Sequence, residues 1–496
     1  MRWQIVVAGV ALPAALALAT LESRWRAEAF VVLLLVAARV VQALLRGGAS
    51  AAARTRGRLL ACGVVLLVAL AAVAALDARR QAEAFVALLG VASLAYVAAL
   101  RLVDRLASNR APPRWGGRAL AGCVLLAVAW RIVLLGAAPL VSDDVYRYVW
   151  DGRVQQRGFN PLRTAPADPA VAHLHTELTR RIDPTSAVLP SIYPPLAQRF
   201  FQGVTAVRES VLAMGVAVLA CDLLIIGVLW RWLVLTGRSS WWVLAYAWHP
   251  LIALEGAGGA HVDVAGTLLL VAAAYALSRR RSLLAAVGLA GAFAVKFLPV
   301  VLVPLLWKRI RIADAAAGAL LVVLLYLPFL DGWELPVGSL GAYLAQWRFN
   351  GPPFRWLASW TGTAPVVALA VAAGWAAAAH ARRTRDRNDP AAWAWPLAAA
   401  LCLLPAVYPW YLVWLLPFLG PSVNWPLVVW TLASMLTYVV WTPYLAGDGW
   451  VLPAWVEPVE YGLVAAAAGW TWWTTRRRTR SGAAVPVDKR LAAGRP

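Results

Sequence analysis

Residues 119–161 read ALAGCVLLAVAWRIVLLGAAPLVSDDVYRYVWDGRVQQRGFNP, and the change of character at Ser142 decides the fold. The run 119–141 is apolar apart from Arg131. It is long enough for one helix to cross the ~30 Å hydrocarbon core of a bilayer. Directly after it, Asp143, Asp144, Asp151, Arg147 and Arg153 crowd into a short polar stretch. Two adjacent carboxylates at the end of a spanning helix are costly to place, so they ask for a function.

Outward from this stretch the same pattern repeats. The chain has 496 residues, of which 61% are hydrophobic and only 14% charged. A soluble protein cannot hide so much apolar surface, and the reading is an all-α polytopic membrane protein with about 14–16 membrane segments. The net charge of +22 could suggest nucleic acid, but the arginines sit in short clusters between apolar runs, which is positive-inside topology. Cys62, Cys123, Cys221 and Cys402 all lie inside apolar runs and imply neither a disulfide framework nor a metal site. The first run, 5–19, follows only Arg2 and shows no cleavage signal, so it reads as a retained spanning helix.

Residues 26–45 and 81–100 look like copies, Arg26-Ala-Glu-Ala-Phe30 against Gln81-Ala-Glu-Ala-Phe85. Residues 1–117 therefore read as duplicated hairpins with a scaffold or docking role. Arg46 to Arg58 and Arg101 to Arg118 mark cytoplasmic loops. The fifth helix, 119–140, then exits on the far side, and the large loop 141–205 faces the periplasm or exterior. Spans are expected at 208–234, 241–257 and 262–277.

The run 283–307 sets a conflict, because Arg279–Arg281 precede it and Lys308, Arg309 and Arg311 follow it. Both ends lie inside only if the chain turns back, so two half-length helices meeting at Lys296 and Pro299 are expected. Each would reach roughly 18 Å, too short to cross. Broken helices of this kind line protein-buried or watered cavities. A similar break is expected at Tyr408-Pro-Trp-Tyr411 within 391–420, and residues 476–496 read as a cytoplasmic tail.

Ser142, Asp143 and Asp144 read as a helix start, with Tyr146, Trp150 and Val154 on one apolar face. A purely structural surface helix explains them equally well taken alone. The functional reading is that one of two repelling carboxylates has a raised pKa suited to accepting a proton. Ile192-Tyr-Pro-Pro195 is a proline-started helix that would return Tyr193 to the neighbourhood of Asp143. Arg131 and Asp222 are expected to pair inside the bundle, and Glu255 sits nearer the outer face. His261 and Asp263 lack a third metal partner at helical spacing. Lys296, a cation at a helix break, suits a phosphate headgroup.

With these residues in place, the chain resembles the GT-C superfamily of integral-membrane glycosyltransferases, and among them bacterial polyprenyl-phosphomannose-dependent mannosyltransferases. The resemblance covers about 119–475. It rests on Ser142 to Gln155, Gly158-Phe-Asn-Pro161, Tyr193 to Gln198, Glu255 with His261-Val-Asp263, Val295 to Pro299, and Tyr408 to Leu412. It implies a catalytic transmembrane core over 118–475, in a multi-pass protein of the inner (plasma) membrane with the active site on the periplasmic or extracellular side. It implies a polyprenyl-phosphate-linked sugar donor, a lipid or glycan acceptor, and inverting transfer without metal or other cofactor. The base would be Asp143, with Asp144 left open as the alternative. Lys296, His261 and Arg348 would hold the donor phosphate. Tyr146, Arg147, Asp151, Arg153, Tyr193, Glu255, Asp263 and Tyr408 would contact substrate. The competing readings are a transporter or lipid-linked-sugar flippase, which broken helices also suit, and a non-catalytic envelope scaffold, which would leave the Asp-Asp loop idle.

Overall fold

The computed structural model describes residues 51–480, apart from 109–116, 331, 333–334 and 422. The expected spans at 4–20 and 28–45, and the end of the tail, lie outside the described residues. Within them the chain is helical throughout, and extended pairing is limited to one isolated parallel bridge, Phe349 to Ala406. Seven helices are long and apolar enough to cross a membrane, and four more apolar helices are shorter. This is the all-α polytopic membrane architecture expected from the sequence.

Helices α1 (Ala51–Ala75) and α2 (Ala82–Ala107) form the second hairpin, and α3 (Gly117–Leu135) packs beside α1. Then the chain leaves the bundle. Helix α4 (Asp144–Gln156) packs against α5 (Pro195–Val207), with two short 3-10 turns between them. Gly152 makes this contact possible, since a Cβ there would lie 2.4 Å from Thr205 Oγ1 and 2.5 Å from the Phe201 carbonyl oxygen. The apolar face of α4 is buried as its spacing indicated. Tyr146, Trp150 and Val154 join Phe201 and Met214 in a core separate from that of the bundle.

Helix α6 (Val211–Leu235) returns through the bundle. Its Asp222 meets Arg131 of α3, Nε to Oδ2 at 2.5 Å with both side chains fully buried, so the expected intramembrane pair is present. Tyr246 donates its hydroxyl to the same carboxylate at 2.8 Å. Buried charges are tolerated when each finds a partner.

The span expected at 241–257 is corrected by the structure. Instead of one helix there are short pieces, Ser240–Val243, Leu244–Ala247 and Pro250–Ile252, followed by a π-helical stretch Ala253–Gly258. Pro250 has no N–H to continue a helix, and the His249 ring accepts the Leu251 N–H at 3.2 Å, capping a new start. Single π turns inside helices are frequent at functional sites. Glu255 sits in this one.

Helix α7 (Asp263–Ser278) and helix α8 (Ser282–Val295) are the next hairpin. Helix α8 stops as expected. Lys296 is extended, with φ −155° and ψ 141°, and a 3-10 turn Leu298–Leu302 leads back. A chain of contacts shows both basic flanks at one end of the bundle. Trp232 donates to Ser278 at 2.8 Å, Arg238 to the Asn388 carbonyl at 2.8 Å, and Arg309 to the Arg382 and Arg385 carbonyls. Helix α9 (Ile312–Tyr326) runs at the periphery with Leu320, Val323 and Leu324 exposed, as a lipid-facing helix would be.

Beyond it come α10 (Leu340–Gln346), α11 (Pro352–Thr361), α12 (Thr363–Thr384) and α13 (Ala391–Leu401). The second break also falls where expected. Tyr408 is extended and the 3-10 helix Pro409–Phe418 follows it. Helices α14 (Trp425–Ala433) and α15 (Val456–Arg480) complete the described chain. The breaks at Lys296 and Tyr408, the π-helical stretch and the start of α4 thus meet at the end opposite the basic turns.

Candidate active site

The two neighbouring carboxylates point to different partners. Asp143 is bound at 3.2 and 2.7 Å by Arg79, from the turn between α1 and α2. Asp144, the first residue of α4, is directed into the meeting point of the broken helices. Its backbone N–H is held by Ser142 Oγ at 3.2 Å. Tyr193, delivered by the segment that starts α5 at Pro195, donates its hydroxyl to Asp144 Oδ2 at 3.2 Å. Tyr148 stands 3.3 Å from that hydroxyl and stacks on Phe201, with ring centres 4.5 Å apart.

His261 Nε2 lies 3.8 Å from Asp144 Oδ2, within ion-pair range but beyond a hydrogen bond. On its other side, Nδ1 is 2.7 Å from Glu255 Oε2, and both side chains are fully buried. The His261 ring stacks on Trp410 at 4.4 Å and 10°, Trp410 on Tyr408 at 4.4 Å, and Tyr408 on Phe349 at 4.4 Å. The Tyr408-Pro-Trp-Tyr411 break thereby supplies an aromatic wall. Lys296 Nζ donates to Asp263 Oδ1 at 2.6 Å and sits 3.7 Å over the Tyr411 ring. Trp414 Nε1 donates to the same oxygen at 2.7 Å.

Two features mark this cluster as unfinished without a ligand. Glu255 Oε1, His261 Nε2 and Asp263 Oδ2 are buried with no hydrogen-bond partner in the protein. Buried polar atoms are otherwise almost always satisfied, so each such atom needs an explanation, and a substrate is one. The second feature is the state of Asp144. Its side chain keeps 36% of its surface open, yet protein crowds it on the scale over which charge is solvated. That burial raises its carboxyl above the usual 3.8, while His261 and Lys296 oppose the shift in part. The result is a carboxylate with a better hold on a proton than a free aspartate. Among the described residues no three His, Cys, Asp or Glu side chains converge as metal ligands would.

The family model for alpha-(1->6)-mannopyranosyltransferases, N-terminal domain, matches residues 44–310, more than half of the chain. The chain belongs to the alpha-(1->6)-mannopyranosyltransferase family. No curated relative and no solved structure matches it. Mannosyl transfer in a membrane thus takes the place of the transporter and scaffold readings. The match begins at residue 44, so it takes in the second hairpin, which the motif resemblance had left out.

Placed in this mannosyltransferase, the expected site residues divide. Asp144, Tyr193, Glu255, His261, Asp263, Lys296 and Tyr408 come together. Arg348 does not. Its guanidinium caps the C-terminal end of α10, donating to the Leu344, Ala345 and Trp347 carbonyls and to Thr363 Oγ1. Arg147 pairs with Asp151 at 2.8 Å, and Asp151 also accepts from Ser191 and Gln198. Arg153 is held by Glu209 and the Leu174 carbonyl, and Tyr146 lies in the core of the 141–205 loop beneath Arg181. These four shape the loop rather than the cluster. Sequence reasoning overlooked Tyr148, Tyr343, Trp410, Tyr411 and Trp414. Trp410 and Tyr411 lay inside a quoted motif, and Tyr343, whose hydroxyl meets that of Tyr411 at 2.7 Å, had no local signal.

Proposed function

We propose that this mannosyltransferase moves a mannosyl group from a polyprenyl monophosphate donor to an acceptor hydroxyl on the periplasmic or extracellular face, with Asp144 as general base. The observation that carries the reading is Asp144 itself, an accessible but poorly solvated carboxylate flanked by Tyr193, His261 and Lys296 at the meeting point of two broken helices. The acceptor oxygen attacks C1 of the mannosyl group on the face opposite the phosphate. As the new C1–O bond forms, Asp144 takes the hydroxyl proton. The C1–O bond to phosphate breaks and its electrons leave with the polyprenyl phosphate. An alpha product formed by inversion requires a beta-linked donor.

The remaining groups have stated tasks. Lys296 offers its ammonium to the departing phosphate, held in place by Asp263, whose carboxylate also accepts from Trp414. Preorganised charge of this kind, aimed at where charge develops, is a large source of rate. Glu255 orients His261, whose ring lies on the Asp144 side of the cluster and favours the ionised carboxylate there. The aromatic wall of Tyr408 and Trp410 offers flat faces to sugar rings.

The test is donor competence in purified protein reconstituted in liposomes. Labelled polyprenyl-phosphomannose should yield a product with a new alpha-(1->6) linkage by NMR, and nucleotide-linked mannose should not. Transfer from the nucleotide sugar alone would overturn the donor assignment.

A further inference from the structure

Arg79 belongs to no motif, yet it reaches the start of α4 from the hairpin turn between α1 and α2. It grips Asp143 with both terminal nitrogens and lies 4.4 Å over the Trp441 ring. Trp441 in turn donates its indole N–H to the Val141 carbonyl at 3.2 Å, two residues before Asp143. Nearby, Thr442 donates to Glu83 of α2 at 2.7 Å. Arg79, Asp143, Val141 and Trp441 therefore close a ring of contacts at the start of α4. Three distant parts of the chain meet there. A helix start that is fixed from both sides also fixes the direction of its first side chain, which is Asp144.

The charges matter as much as the geometry. Adjacent aspartates repel, and an unpaired Asp143 would make Asp144 harder to ionise. The groups facing Asp144 are His261, Lys296, Tyr193, Tyr148 and Asp263, with Asp143, Arg79 and Arg181 at its back. Among the described residues, Arg79 is the one in ion-pair contact with Asp143.

We infer that Arg79 is a positioning residue for transfer, which anchors and neutralises Asp143 so that Asp144 alone serves as the base. The inference rests on the assignment of Asp144 above. It gives the second hairpin a part in catalysis, through one arginine that touches no substrate.

The experiment measures kcat against pH, and the KM for donor, on full-length protein in liposomes. The variants are Arg79→Ala, Arg79→Lys, Asp143→Asn, the Arg79→Ala/Asp143→Asn double variant and Asp144→Asn. Arg79→Ala should lower kcat at least about tenfold with little change in donor KM. It should also move the acid limb up by roughly half a pH unit. Asp143→Asn leaves Arg79 uncompensated and should move the limb the other way. The double variant should return the limb to the wild-type position, and Arg79→Lys should keep it there. A wild-type kcat and limb in Arg79→Ala, with Asp144→Asn inactive, overturns this inference alone. Transfer retained in Asp144→Asn overturns the base assignment and this inference with it. Should Arg79→Ala not fold, Asp143→Asn decides, and an unshifted limb there overturns the proposal.

Discussion

Gly259 is the residue whose change tests the His261–Glu255 pair with the least chemical disturbance. Its φ is −105°, an ordinary value for any residue, so alanine adds no backbone strain. Alanine in place of glycine would by itself stabilise the fold by about 0.4–1 kcal/mol through the unfolded chain. The new Cβ, however, would stand 2.6 Å from His261 Nδ1 and 2.8 Å from Glu255 Oε2. Neither side chain has room to yield outward, as both are fully buried and the imidazole is stacked on Trp410. The 2.7 Å ion-pair contact must open, parting two fully buried groups at a cost of about 1–3 kcal/mol. If that cost falls on the transition state, kcat drops roughly 5- to 150-fold. Gly256 is the control on the same segment, because a Cβ there meets nothing closer than 3.5 Å. The assay is mannosyl transfer by Gly259→Ala and Gly256→Ala, alongside thermal unfolding in detergent. A wild-type kcat in Gly259→Ala would refute the role given to the Glu255–His261 pair.

Three further outcomes follow from the same geometry. The proton acceptor must be ionised to work, and burial raises the Asp144 carboxyl above 3.8. Transfer should therefore fall as pH drops through that raised value, and a rate that stays flat down through the ordinary carboxylate range contradicts it. Lys296→Met removes one charged hydrogen bond to phosphate, about 1.5–3 kcal/mol. In donor titrations kcat/KM should fall roughly 10- to 150-fold, and an unchanged value sinks the assignment. Arg348→Ala should lower thermal stability by about 0.5–1.5 kcal/mol and leave the donor KM alone, because that side chain caps α10.

Much of the architecture was legible because its signals are local. Basic flanks on both sides of 283–307, together with Pro299, specify a chain that turns back at Lys296, and it does. The Arg131–Asp222 pair was legible because lipid leaves a buried charge few alternatives. The break at His249 and Pro250 was missed, since a run of apolar residues hides whether a proline interrupts or merely bends a helix. The different surroundings of Asp143 and Asp144 could not be read from the motif. They depend on Arg79, 64 residues upstream, which holds Asp143 and not Asp144. The contacts of Arg348 were illegible for a related reason. An arginine between two helices looks the same in sequence whatever it binds, and in the structure it caps α10.

The most direct measurement compares Asp144→Asn with Asp143→Asn in transfer of labelled mannose from polyprenyl-phosphomannose, at matched amounts of folded protein. Loss of the general base should cost about 10²- to 10⁴-fold, so Asp144→Asn should be inactive while Asp143→Asn, which loses only the ion pair to Arg79, falls about as far as Arg79→Ala and stays clearly active. Transfer by Asp144→Asn at the wild-type rate, or inactivity confined to Asp143→Asn, would contradict the account.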